Sequence, residues 1–254
     1  MYSVAGKVDI GAYEKQNDDR ALIGSHILED GEFSGIVETD YIFATVCDGV
    51  GGMYQGYRAA MMTIEECQFL HRADVTISDI KGKIEIANKK IKDLQCAENL
   101  QNGLRTTIAG VYLNAEHFWV FNAGDSRVYR FRFRYLTQLS KDHSLVQDMV
   151  DIGEISAEAA KTHPQKNVIN KCIGHEPVVN PRIIDMSDDI EADDIIMICS
   201  DGVSDELEDA DFKEILWEHS EDESLLECCR LIYQKAIEKG SKDNLSIILL
   251  RMGE

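Results

Sequence analysis

Asp19, Asp48, Asp125, Asp201 and Asp243 stand at the ends of apolar runs or in the turns between them, and that placement defines the chemistry to look for. Asp48 closes the run Tyr41-Ile42-Phe43-Ala44-Thr45-Val46-Cys47 and is followed by Gly49-Val50-Gly51-Gly52. Asp201 follows Ile195-Ile196-Met197-Ile198-Cys199-Ser200 and precedes Gly202. Asp243 comes just before the run Leu245 to Leu250, Asp19 just before Arg20-Ala21-Leu22-Ile23, and Asp125 lies in the turn Gly124-Asp125-Ser126. Singly, each reads as a turn or cap, because Asp-Gly is a common turn pair. Two all-apolar strands that both deliver Asp-Gly to the edge of a core carry more weight. A glycine there lets the backbone turn sharply and brings a carbonyl beside whatever the carboxylate holds.

Converging carboxylates cannot remain bare. Two anions about 4 Å apart repel by roughly 4 kcal/mol at an effective dielectric of about 20, so such a pocket demands protons or cations. With no His or Cys in the set the ligands are all oxygen, which favours Mg²⁺ or Mn²⁺ over zinc. Two such ions bridged by one carboxylate would hold a water and lower its pKa. The resulting hydroxide is suited to in-line attack on phosphorus near neutral pH.

The elements that must position these groups follow from periodicity. The 41–47 run predicts a buried strand, as does 195–199. Helical spacing of apolar residues runs from about Met53 to Leu70. It recurs from Ser78 to about Glu98 through Ile80, Ile84, Ile91 and Leu94, with Ser78-Asp79 as the helix start. Short strands are predicted over 106–112, 118–122 and 128–133, with hairpin tips at 114–116 and 124–126. Helices near 209–219 and 223–239 precede a last strand over 245–250. Meandering strands with helices gathered in pairs predict an α+β fold of antiparallel sheets covered by helices. Prolines occur only at 164, 177 and 181, and no linker or repeat interrupts the chain, so one domain over 1–254 is expected.

Composition excludes several classes. The 254 residues carry 46 Asp+Glu against 26 Lys+Arg, a formal net charge of -20, which repels nucleic-acid phosphates and anionic lipid. A hydrophobic content of 44% argues against disorder, and no apolar run approaches a bilayer span or a secretory signal. The seven cysteines (47, 67, 96, 172, 199, 228 and 229) form no Cys-x-x-Cys pair and read as reduced thiols in a cytoplasmic protein.

In this order the motifs resemble the metal-dependent protein phosphatase family (PPM, the type 2C serine/threonine phosphatases), in its compact bacterial form. The resemblance runs from about Gly11 to Leu250. It rests on Gly11…Asn17-Asp18-Asp19, Cys47-Asp48-Gly49-Val50-Gly51-Gly52, Thr106-Thr107, Ala123-Gly124-Asp125-Ser126-Arg127, Leu139…Asp142-His143-Ser144, Asn167-Val168-Ile169, Cys199-Ser200-Asp201-Gly202 and Asp243-Asn244. It implies a four-layer α/β/β/α sandwich of two antiparallel sheets flanked by helix pairs, with a binuclear Mn²⁺ or Mg²⁺ site at one edge. Asp48 would bridge both metals with the Gly49 carbonyl beside it. Asp201 and Asp243 would hold one ion, Asp19 would orient water on the other, and Asp125 with Asp201 would support a third, weaker ion. Segment 146–172 would be a flap beside the active site. The implied partners are phosphorylated proteins, with a cognate serine/threonine kinase or its targets, for an enzyme acting as a monomer.

Two departures from the family pattern matter. Glu14 stands where the family has a phosphate-gripping arginine, which leaves Lys15 and Arg105 as candidates for that role. Val50 stands where eukaryotic members have a histidine, so the leaving oxygen would take its proton from water. Two alternatives stay open: a catalytically silent phosphatase-fold protein that binds a partner, and a metal-dependent phosphatase of a small phosphoester. Asp142-His143-Ser144 reads as a helix start, not a triad, because adjacent residues rarely face one another as nucleophile and base. Cys228-Cys229 reads as core, the acidic run 188–194 as a solvated loop, and Glu221-Asp222-Glu223 as a helix N-terminus.

Overall fold

The computed structural model describes residues 1–50, 55–100, 103–219 and 224–253. Strands β1 (Tyr2–Asp9), β2 (Arg20–Ile23), β3 (His26–Leu28), β4 (Gly31–Val37), β5 (Ile42–Cys47) and the short β6 (Gly49–Val50) open the chain. Helices α1 (Gly56–Cys67) and α2 (Ile77–Ala97) follow. A meander comes next: β7 (Arg105–Thr106), β8 (Ile108–Leu113), β9 (Phe118–Ala123), β10 (Arg127–Arg132) and β11 (Tyr135–Gln138). Short helices α3 (Leu145–Asp151) and α4 (Ala157–Lys161) precede β12 (Arg182–Asp185) and β13 (Ile195–Cys199). The chain ends with α5 (Asp201–Ser204), α6 (Asp209–His219), α7 (Leu225–Lys239) and β14 (Leu245–Met252).

Two antiparallel sheets result, ordered β11-β10-β13-β14-β1-β4 and β12-β9-β8-β5-β2-β3. Strand alternation then builds three apolar layers. Ile196 and Ile198 of β13 face Ala44 and Val46 of β5 between the sheets. Phe43 and Cys47 turn the other way onto α1 and α2, with Ile64, Ile80 and Ile84. Met197 and Cys199 turn outward onto α6 and α7, with Phe212, Leu216 and Ile232. A strand buried on both faces is apolar nearly throughout, which is why β13 reads as an unbroken apolar run and β5 as one interrupted only by Thr45, whose hydroxyl donates to Ala109 O at 2.8 Å. The expected four-layer α/β/β/α sandwich is therefore present.

Several boundaries differ from expectation for identifiable reasons. α2 begins at a capping box, not at Ser78: Thr76 Oγ1 accepts from Asp79 N at 3.1 Å, and Asp79 Oδ2 accepts from Thr76 N at 2.8 Å. The 106–112 strand is two strands, because Asp48 O accepts from Thr106 Oγ1 and from Thr107 N, both at 2.8 Å. The expected start of the first helix at Met53 and the run Glu221-Asp222-Glu223 fall outside the described residues, as do Gly51 and Gly52. Among the described residues no helix is long and apolar enough to cross a membrane.

Candidate functional site

Register brings the aspartates to one edge of the sandwich. Arg20 pairs with Cys47 across β2 and β5, so Asp19, just before one strand, and Asp48, just after the other, emerge side by side. On the facing sheet Cys199 pairs with Ile247 across β13 and β14, which brings out Asp201 and Asp243 together at the same edge. The β9–β10 connection crosses from one sheet to the other there and carries Asp125.

Close backbone packing holds these ends. A Cβ on Gly202 would collide with the Asn244 carbonyl, and one on Gly49 would meet Gly56 and the Asp18 carbonyl at 2.7 Å, so both Asp-Gly pairs need their glycine. Asn244 ties three segments together. Its Oδ1 accepts from Asp18 N at 2.7 Å, and its Nδ2 donates to Ile10 O and Gln16 O at 2.9 and 3.1 Å. Arg20 Nη1 donates to the Asp19 carbonyl at 2.6 Å, fixing the turn that presents the carboxylate.

The electrostatics are those of crowded, buried acids. Burial, with Asp243 and Asp201 nearby, pushes the Asp19 carboxyl up to about 7, against hydrogen bonds from Ser246 and Ser200 that favour its ionised form. Burial and then the Asp243 charge raise Asp201 to about 6. Asp48 is pushed well above the usual carboxylate range by burial and by Asp201, Asp19 and Asp243. Asp125 is raised by burial and by Asp201, and Asp243 by burial first. Asp19, Asp48, Asp125 and Asp201 thus each feel at least one other carboxylate of the set, which holds several charges it cannot neutralise internally.

Among the described residues no group of three His, Cys, Asp or Glu side chains forms a metal cage by itself. Hard cations such as Mg²⁺ keep several waters and take only one or two carboxylates each. The fit of the site to such ions rests on Oδ1 of Asp201 and Oδ1 of Asp125. Both atoms are buried with no hydrogen-bond partner, and the donor set is all oxygen.

The other residues singled out fall as follows. Glu14 and Lys15 are both exposed on the loop before Asp18. Arg105 is half-buried on β7 opposite Val50, close enough to Cys172 to act on its thiol, as Asp125 also is. Asp142 is taken by Arg127 at 2.6 Å, His143 Nδ1 accepts from Gly124 N at 3.3 Å, and Ser144 caps α3, so these three form no triad. Cys228 and Cys229 are core. The acidic run is less solvated than expected, because Asp194 and Glu191 pair with Arg132 and Asp189 pairs with Arg130.

Ser246 and Ser200 escaped the sequence reading. The Ser246 hydroxyl donates to Asp19 Oδ2 at 2.6 Å, and the Ser246 N–H donates to Ser200 Oγ at 3.0 Å. The available signal was a lone hydroxyl within the apolar run Leu245-Ser246-Ile247, three positions from Asp243.

No protein-family model matches the chain. The serine/threonine phosphatase Stp of Listeria welshimeri is 29% identical over 241 residues, covering 91% of this chain and 92% of that protein. The solved serine/threonine phosphatase of S. agalactiae superposes with a TM-score of 0.84 at 26% identity, over 99% of this chain and 100% of that one. The catalytic domain of the phosphatase PstP, solved with two manganese ions, shares the fold at a TM-score of 0.79 and 22% identity, over the whole of both chains.

Proposed function

We propose, for a chain that belongs to the metal-dependent protein phosphatase (PPM) family, that it hydrolyses phosphoserine and phosphothreonine in proteins with Mn²⁺ or Mg²⁺. The observation that carries this reading is the meeting of Asp19, Asp48, Asp201 and Asp243 at one edge, with a buried Asp201 oxygen left unpartnered. In this reading Asp48, the Gly49 carbonyl, Asp201 and Asp243 would hold two divalent ions, Asp19 would orient water on one of them, and Asp125 with Asp201 would take a weaker third. When bound, the ions neutralise phosphate charge and make water nucleophilic near neutral pH.

The chain's own groups prepare that chemistry. Ser246 donates to Asp19, which opposes the effect of burial by favouring the ionised form and fixes the carboxylate's orientation. Thr106 and Thr107 pin the Asp48 carbonyl, so the carboxylate leaves β5 in one direction. Val50 brings no proton donor, so the leaving oxygen takes its proton from solvent. The two candidates for the phosphate-gripping role are Lys15, exposed on the loop before Asp18, and Arg105, half-buried opposite Val50. The segment 146–172, containing α3 and α4, serves as the flap of a single domain spanning 1–254.

The partners in this reading are phosphorylated proteins, products of a serine/threonine kinase, met by a monomer. A cytoplasmic setting is supported by seven free thiols, all buried except Cys96. The test is substrate profiling with Mn²⁺ and with EDTA. The expected result is Mn²⁺-dependent phosphate release with the highest kcat/KM on phosphopeptides. Turnover confined to small phosphoesters would identify a different phosphatase, and no turnover would identify a silent binding protein.

A further inference from the structure

Beside the aspartate edge runs a cleft of about 420 Å³, with α3 and α4 on one side and the segment after α5 on the other. Asp125 lines it, only 8% exposed, with its Oδ1 buried and unpartnered. Of the strand-end aspartates Asp125 lines the cleft, and α5, which begins at Asp201, borders it through Ser204.

The cleft's cations are already committed. Arg127 pairs with Asp142 at 2.6 Å, Lys166 with Asp205 at 2.8 Å and Lys161 with Glu158 at 3.4 Å. What remains in the lining after those pairs is acidic. Glu206, half-buried, and Glu208 and Asp209, both exposed, line the same cleft and form no ion pair among the described residues.

We propose that this cleft receives the residues flanking the phosphorylated side chain and selects flanks carrying Lys or Arg over acidic ones. The inference rests on the phosphatase reading of the adjacent cluster. A cationic flank meets three carboxylates that form no ion pair among the described residues, with Asp125 below them, whereas an acidic flank meets like charge there and only cations that are already paired. The phosphate itself brings a charge of about -2 to an edge already crowded with aspartates, so a cationic neighbour also offsets that approach. Since the rim charges are solvent-facing, the selection is screened by salt over a Debye length of about 8 Å at physiological strength.

The experiment uses two phosphothreonine peptides that differ only in their flanks, Arg/Lys in one and Glu in the other. Phosphate release with Mn²⁺ and binding by fluorescence anisotropy are measured on the full chain, with p-nitrophenyl phosphate as a substrate without flanks. At low salt the basic peptide is expected to be preferred about tenfold in both kcat/KM and Kd. The preference should fall below about threefold in 1 M NaCl and in the Glu206→Lys/Glu208→Lys/Asp209→Lys variant, with p-nitrophenyl phosphate turnover unchanged. Equal handling of the two peptides, an acidic preference, or a basic preference that both salt and the variant leave intact would overturn the proposal. Absence of any p-nitrophenyl phosphate turnover refutes the phosphatase reading instead, and the binding comparison then still decides the cleft.

Discussion

Ser246 and Asp19 join the two sheets at the site. The Ser246 hydroxyl, on β14 of one sheet, donates at 2.6 Å to the carboxylate that introduces β2 of the other. A single hydrogen bond therefore both orients a candidate ligand and couples the layers that carry the remaining aspartates.

Ser246→Ala should expose that coupling. Asp19 is 1% exposed, and removing its donor leaves a buried carboxylate short of a partner, at a cost of about 1–3 kcal/mol. The loss falls on the ionised form, so the drop in Tm should be larger at pH 8 than at pH 5. Equal losses at the two pH values would mean that the hydroxyl serves packing alone.

A second expectation concerns metal and proton competing for the same oxygens. Asp19, raised to about 7, and Asp201, raised to about 6, both lie above the ordinary value of 3.8. In the metal-free chain the fold favours their neutral forms. That contribution is fully present below about pH 3.8 and is lost as pH rises through 6 and 7. Mn²⁺ needs the ionised forms, so the gain in Tm on adding Mn²⁺ should be small at pH 5 and grow to pH 8. Melting curves with EDTA and with Mn²⁺ at each pH measure the difference, and a gain independent of pH would contradict the assignment.

The phosphate grip yields a third prediction. Glu14 is exposed and repels the substrate phosphate if it lies where the family arginine does. Glu14→Arg should lower KM for a phosphothreonine peptide by about three- to tenfold, the scale of one or two exposed charge contacts. Arg105→Ala should raise KM with a smaller change in kcat. An unchanged KM in Glu14→Arg would place the loop away from the substrate.

A control of a different kind comes from the far side of the molecule. Thr76 caps α2 and sits among none of the aspartates, so Thr76→Ala should cost about 1 kcal/mol of stability. Its kcat/KM should match the parent chain at 25 °C. A matching fall in kcat/KM would tie catalysis to global stability and weaken every mutational argument above.

How much was legible depended on what each element buries. β5 and β13 are buried on both faces and read directly, and their strand-end aspartates with them. β1 was missed because Gly6 and Lys7 break its apolar run. Gly6 packs closely, since a Cβ there would lie 2.6 Å from Ile23 Cδ1 and that side chain would have to shift, and Lys7 reaches Asp9 and Glu32 at the rim. The strand expected over 128–133 ended one residue late because its tip, Phe133-Arg134, takes φ of 47° and 69° without the Asn or Gly that usually marks such a turn. Ser246 was invisible for a different reason: its partner lies 227 residues away, and only the assembled sheets bring the two together.

The central claim is that Asp48 is indispensable to metal-dependent phosphate release. Its most direct test is the rate of phosphate release from one phosphothreonine peptide, titrated with Mn²⁺, for the parent chain and for Asp48→Asn. Expected are saturable Mn²⁺ activation of the parent chain, abolished by EDTA, and a loss of about a hundred- to a thousandfold in Asp48→Asn, the scale on which removing a single electrostatic contact to the transition state acts. Turnover by Asp48→Asn within a few fold of the parent, or activity that survives EDTA, would contradict it.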